Sequence, residues 1–233
     1  MIMNDFKNTS SAETATGHRQ QIWMIDETDL FSMIEDKGKE CFGEKFFLWK
    51  EDYPVLRKLL IYFFADSERA INEGLDLKKG IMLSGPVGCG KTSIMSLVRY
   101  FQNENARHTL KPCREIIPEF LSKGFETITK YGKSFHSLEG ALLPKTYCFD
   151  DLGFEKEAIY YGNECDVMKE IILSRYDLFE SIEKLTHFTT NLTQEELETR
   201  YGESVMSRLE AMVNFVEFDK ATPDKRRHRV KIS

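Results

Sequence analysis

The sequence predicts an α/β protein in which a parallel sheet is sandwiched between helical layers, a three-layer arrangement. Three observations predict it. An apolar run from Lys79 to Ser84 leads through the glycine-rich octapeptide Gly85-Pro-Val-Gly-Cys-Gly-Lys91-Thr92 into a segment with Ile94, Leu97, Val98 and Phe101 at helical spacing. A second apolar run, Thr146-Tyr147-Cys148-Phe149, ends in two carboxylates, Asp150 and Asp151. Elsewhere strand-like runs alternate with helix-like ones, the order that builds parallel sheets covered on both faces.

Taken in order, residues 1–21 are polar and aperiodic, too poor in apolar surface to offset the entropy of ordering, and are expected to form a flexible tail. Residues 22–50 differ: Leu30, Phe31, Met33 and Ile34 mark one helix face, and Phe42, Phe46, Phe47, Leu48 and Trp49 form an aromatic cluster. That cluster is either a docking surface for a partner protein or a segment laid against the main domain. Residues 51–233 make the core domain. Asp52 caps a helix with Pro54 in its first turn, continued by Leu56, Leu59, Leu60, Phe63, Phe64 and Ile71 and ended by Gly74. Beyond the glycine-rich loop and its helix, Pro112 to Ile117 reads as a strand passing into a helix, and Gly124 to Lys133 as helix or loop. Asp166 to Phe179 is a helix, Leu185 to Thr190 a strand, Gln194 to Tyr201 and Glu203 to Met212 helices, and Val213 to Phe218 a last strand.

Bulk composition narrows the function. The 233 residues are 41% hydrophobic, enough for a substantial core, and the formal net charge of −6 argues against a surface coated for general duplex binding. The cysteines Cys41, Cys89, Cys113, Cys148 and Cys165 form no CxxC pair, so neither disulfides nor zinc are expected. Cys89, inside the glycine-rich loop, is either a small filler or a thiol whose oxidation blocks the loop. No stretch approaches the ~20 apolar residues of a membrane span, and the start of the chain lacks the apolar core of a signal peptide. A soluble, cytoplasmic protein without membrane contact is expected.

The octapeptide fits GxxxxGK[ST], and each fixed position has a mechanical reason. Gly85, Gly88 and Gly90 allow the torsions that turn successive N–H groups onto a β-phosphate. Pro86, Val87 and Cys89 fill the variable positions, and Ser93 continues the helix whose positive end adds to the anion site. Lys91 is expected to reach the β and γ oxygens, and the Thr92 hydroxyl to ligate Mg²⁺. At the end of its strand Asp150 is placed to hold Mg²⁺, directly or through water, and Asp151 to orient or deprotonate an attacking water. Asn191, closing the strand that begins at Leu185, either contacts a γ-phosphate or the water, or caps the next helix.

Four ordered motifs, GPVGCGKT, YCFDDLG, FTTNL and RYGESVMSRLEAM, give the chain a resemblance to the AAA+ ATPases, and within them to the DnaC/IstB family of helicase loaders and transposition helper ATPases. The resemblance covers roughly residues 45–233. It implies a P-loop NTPase fold, ATP and Mg²⁺, and the roles just derived for Lys91, Thr92, Asp150, Asp151 and Asn191. It makes Arg208 an arginine finger acting on a neighbouring subunit, and hence a homo-oligomer, ring or spiral, formed with ATP. The alternative for Arg208 is a surface arginine paired to Glu203 or Glu210. The chain after Asn191 is too short for the finger helix, a last strand and a full helical lid, so the C-terminal lid is absent or vestigial, as in that family. Arg226 or Arg227 is then the candidate second sensor. The implied partner is a replicative helicase or a transposase. Single-stranded DNA is a possible ligand of the basic tail Lys225 to Arg229, or of Lys130-Tyr131-Gly132-Lys133 with Phe135 and His136. A nucleotide-gated binding module with negligible turnover, or a P-loop small-molecule kinase, are the alternative functions.

Overall fold

The computed structural model describes residues 26–102, 106–133, 136–137, 140–141, 144–155, 158–160 and 163–227. The expectations for the tail 1–21, for Phe135 and for the basic residues after Arg227 lie outside them. In chain order the helices are α1 (Glu27–Phe42), α2 (Tyr53–Phe63), α3 (Ser67–Asn72), α4 (Lys91–Val98), α5 (Cys113–Lys123), α6 (Phe125–Gly132), α7 (Val167–Ile182), α8 (Gln194–Tyr201) and α9 (Glu203–Met212). The strands are β1 (Gly80–Ser84), β2 (Thr109–Pro112), β3 (His136–Ser137), β4 (Gly140–Ala141), β5 (Tyr147–Leu152), β6 (Ala158–Tyr160), β7 (Asn163–Cys165), β8 (Thr186–Thr190) and β9 (Val213–Glu217). The fold class is the expected one: β2, β5, β8, β1 and β9, in that spatial order, form one sheet, and every neighbouring pair is parallel. The pairs β3–β4 and β6–β7 are separate antiparallel ladders, each too short to show a strand pattern in the sequence. Among the described residues no helix follows β9.

The chain divides into two compact units. The larger comprises Lys78–Thr92 and His108–Lys225 and contains the sheet. Every residue of β1 and β8 is buried, in keeping with their near-continuous apolar and β-branched sequences. Met82, Phe149 and Phe188 from three adjacent strands share a core with Phe120, Ile171, Ile172 and Leu209, and the Phe149 and Phe188 rings lie 5.7 Å apart. Burying such a side chain contributes about 1.5–3 kcal/mol. The expected passage from strand to helix within Pro112–Ile117 falls at its first residue: β2 ends at Pro112 and Cys113 already opens α5. β2 is a sheet edge of sequence Thr-Leu-Lys-Pro, so it shows no apolar run to read. Tyr131, expected to be free to stack on DNA, is buried, and its hydroxyl donates to Glu119 Oε2 at 2.7 Å.

The other unit comprises the described residues 26–77, 93–102, 106–107 and 226–227. Helix α1 buries Leu30, Phe31 and Ile34, close to the face expected. The long helix expected from Asp52 to Gly74 is instead two. α2 stops at Phe63, Ala65 takes a left-handed φ of 55°, and Asp66 caps α3 by accepting from Arg69 N at 3.0 Å. A local cap outcompetes the helical continuation, and Ile71 is left 77% exposed. Nor does Asp52 cap α2, because its buried carboxylate accepts from Trp49 N at 2.9 Å. In the aromatic cluster Leu48 is buried, whereas Phe42 and Phe47 are 40% and 51% exposed. Phe47 stacks on Trp49 at 5.4 Å. No described helix is long and apolar enough to cross a membrane.

Candidate functional site

Three neighbouring strands of the larger unit, β5, β8 and β1, end side by side. β1 releases the chain at Ser84 into the glycine-rich loop, where Gly85, Gly88 and Gly90 have φ of 152°, 78° and 110°, a region that glycine adopts without strain. The loop closes when Cys89 N donates to Pro86 O at 3.3 Å, and α4 begins at Lys91. Lys91 is buried, and its Nζ donates to Gly85 O at 2.7 Å, Pro86 O at 2.9 Å and Asn191 Oδ1 at 2.6 Å. Burial pushes the Lys91 ammonium below its ordinary pKa, while Cys89, Asp151 and Asp150 pull the other way. Val87 is exposed at the loop tip, and Cys89 is buried, which pushes its thiol pKa up and disfavours the thiolate.

The acids belong to a closed circuit of hydrogen bonds. Thr92 Oγ1 donates to both Asp150 oxygens, at 2.9 and 3.1 Å, and Thr189 Oγ1 donates to Asp150 Oδ1 at 2.6 Å while accepting from Asp151 N at 2.9 Å. Burial raises the Asp150 carboxyl pKa, with the Thr189 and Thr92 hydroxyls opposing it. Between Phe149 and Leu152 the β5–β8 register slips, so two residues stand where β8 offers one, and Asp151 takes a left-handed φ of 57°. Such a bulge re-aims a side chain, here the second acid, away from the plain alternation of the strand. Asn191 Nδ2 reaches Asp151 Oδ1 at 3.4 Å. Its alternative role as a cap is taken by Thr193, which accepts from Glu196 N at 3.3 Å while Glu196 accepts from Thr193 N at 2.8 Å.

The structure thus brings Lys91, Thr92, Asp150, Asp151 and Asn191 together. Among the described residues no group of three His, Cys, Asp or Glu side chains gathers as a metal cage. What the site offers a cation is a hydroxyl and a carboxylate, the sparse set of hard oxygen donors that suits Mg²⁺ shared with phosphates. Two supports were not anticipated. One is Thr189, which joins the two acids and is visible only once the register is known. The other is Glu155, buried behind the turn that follows them, which accepts from Gly153 N at 2.9 Å and from the Tyr201 hydroxyl. Arg208 stands apart: its Nη1 donates to Ser204 O and Oγ, both at 2.7 Å, and its guanidinium lies 5.5 Å from the Tyr176 ring centre. Its helix α9 runs on to Val213, which pairs with Gly80 at the end of β1 opposite the loop. Ser93 is half-buried in the first turn of α4, and Arg226 is exposed on the turn 225–227.

The fold and site define a parallel α/β protein with a glycine-rich loop between β1 and α4. No family model and no curated protein matches the chain. Among solved structures it is similar to the DnaC helicase loader, at 19% identity, covering 71% of this chain and 90% of that one, with a TM-score of 0.45. It is similar to DnaI at 20% identity, covering 71% and 93%, with a TM-score of 0.47. AMPPCP-bound DnaA from Aquifex aeolicus is a third, at 18% identity, covering 77% and 50%, with a TM-score of 0.45.

Proposed function

We propose that the chain is a cytoplasmic, Mg²⁺-dependent ATPase of AAA+ class and DnaC/IstB type, an oligomeric switch that loads or remodels a DNA-processing machine. The observation that carries it is the convergence of Lys91, Thr92, Asp150, Asp151 and Asn191 at the ends of three adjacent strands. The loop amides of residues 85–92 and the first turn of α4 bind the β-phosphate. Lys91 exchanges the carbonyls of Gly85 and Pro86 for phosphate oxygens, and its release from Asn191 leaves that amide to the γ-phosphate or the water. Thr92 and Asp150 hold Mg²⁺, which supplies charge neutralisation on the phosphates. Asp151 orients the attacking water and takes its proton.

Arg208 completes a neighbour's site, a reading in keeping with its side chain resting on Ser204 and near the Tyr176 ring. Subunits then assemble head to tail in a ring or spiral. The partner is a replicative helicase or a transposase. Contacts to single-stranded DNA fall to charge, from exposed Lys130 and Lys133, because the Tyr131 ring is buried. Arg226 and Arg227 remain the candidates for a second sensing arginine.

Lys91→Ala is expected to weaken ATP binding by at least about 100-fold, roughly 2.7 kcal/mol, and normal hydrolysis by that variant overturns the site. Mixing Arg208→Ala with Asp151→Asn subunits restores part of the ATPase at shared interfaces; no rescue at any ratio overturns action in trans. ATP binding without turnover, with or without single-stranded DNA, leaves a nucleotide-gated binding module instead.

A further inference from the structure

The chain does not leave the phosphate loop after β9. Phe218 N donates to Ser84 O at 2.9 Å, and a Cβ placed on Gly85 would stand 2.7 Å from the Phe218 Cβ. A turn follows, in which Asp219 accepts from Ala221 N at 2.8 Å and Thr222 N donates to Asp219 O at 2.9 Å. The segment then returns across the loop. Lys225 N donates to Gly88 O at 3.1 Å, and Asp224 Oδ1 occupies the space a Gly88 side chain would need, 1.8 Å from its Cβ position. Lys225 Nζ stands 3.2 Å from the Cβ position of Gly90 and 5.6 Å from the Phe218 ring centre. The segment therefore meets the loop at its start, through Phe218 beside Ser84 and Gly85, and again at Gly88 and Gly90, through Asp224 and Lys225.

We propose that Lys225 is a second phosphate-binding cation, delivered by this strap to the part of the nucleotide that ATP and ADP share. The inference rests on the nucleotide-site reading above. A loop that gathers anionic oxygens gains from each positive group along it, and the loop's own sequence supplies one, Lys91. Lys225 supplies another from outside the motif. Its main-chain bond to Gly88 O ties the strap to the loop, and the Phe218 ring, 5.6 Å from its ammonium, helps hold the side chain in place. Its position selects the phosphates it meets. Gly90 immediately precedes Lys91 at the helix start, whereas the γ-phosphate end is marked by Asp150, Asp151 and Asn191 one and two strands away.

The experiment is titration of the full chain with ATP and with ADP, for wild type, Lys225→Ala, Lys225→Arg and Lys91→Ala. Lys225→Ala is expected to lose about tenfold in affinity for both nucleotides, about 1.4 kcal/mol, with its melting temperature in the absence of nucleotide unchanged to within about 2 °C. Lys225→Arg keeps most of the affinity. Wild-type affinity for both nucleotides in Lys225→Ala, beside lost binding in Lys91→Ala, overturns the proposal and leaves the site intact. A loss confined to ATP also overturns it, because the ammonium then serves the γ-phosphate. A wild-type chain that binds neither nucleotide sinks the site reading itself.

Discussion

Strand β8 carries two buried polar clusters, one at each end, and they are built differently. At its start Arg175 Nε donates to Thr186 Oγ1 at 2.7 Å and Nη2 to Leu185 O at 2.9 Å, while His187 Nδ1 accepts from Ile81 N at 3.1 Å with the His108 ring 5.3 Å away. Here Arg175 is held by a hydroxyl and a carbonyl at the start of the strand, and burial pulls its pKa down to about 10. At its finish Thr189 and Asn191 meet Asp150, Asp151, Thr92 and Lys91, and the partners there are exchangeable. Lys91 rests on carbonyls of its own loop, and Thr92 spans both oxygens of one acid. Burial of polar groups is common to both ends. What separates a structural cluster from a candidate site is whether a phosphate or a hard cation can replace the present partners.

The largest effect that tests this contrast is Asp151→Asn, which is expected to lower ATP turnover by about 100-fold or more, a general-base loss, with ATP affinity nearly kept. Steady-state rates beside equilibrium titration check it; a matching loss of affinity breaks the distinction between binding and chemistry at this end. At the other end Thr186→Val leaves the Arg175 Nε without its acceptor and costs about 1–3 kcal/mol of stability in urea unfolding, with nucleotide affinity unchanged. If nucleotide affinity falls too, the clusters are coupled and the contrast is lost.

The smallest effect is the response to acid. Burial, with His108 and Arg175 nearby, holds the His187 pKa well below its ordinary value. The unfolded chain therefore takes up a proton near pH 6.5 that the folded chain refuses, so stability is full above that pH and falls beneath it. Between pH 7.5 and 5.5 the loss is about 1 kcal/mol, measured by urea unfolding at both values. Asp150 runs the opposite way: its raised folded pKa means the folded state gains relative stability as pH drops and the carboxyl is protonated. Replacing His187 by Asn removes the first response and leaves the second.

Much of this was legible in the sequence because it is written in contiguous residues. The loop Gly85–Thr92, the acids closing an apolar run and the amide closing another need no tertiary knowledge, and the helices 194–201 and 203–212 are bounded by Thr193 and Gly202, which local chemistry favours at helix ends. The rest depended on pairing. Thr189 looks like any strand threonine until register sets it between Asp150 and Asp151 N. The break at Ala65 hides in a continuous apolar period, and β2 hides because an edge strand needs no apolar face. The basic tail is plain as a charge run, but that its first lysine is the one laid on the loop follows only from the return of the chain after Phe218.

The extra residue in β5 has one more consequence. Deleting one of the two acids restores an even ladder with β8 and removes the left-handed backbone at 151, where a non-glycine residue stores about 1–3 kcal/mol. One lost codon therefore gives a sturdier chain that keeps a single carboxylate at the end of β5.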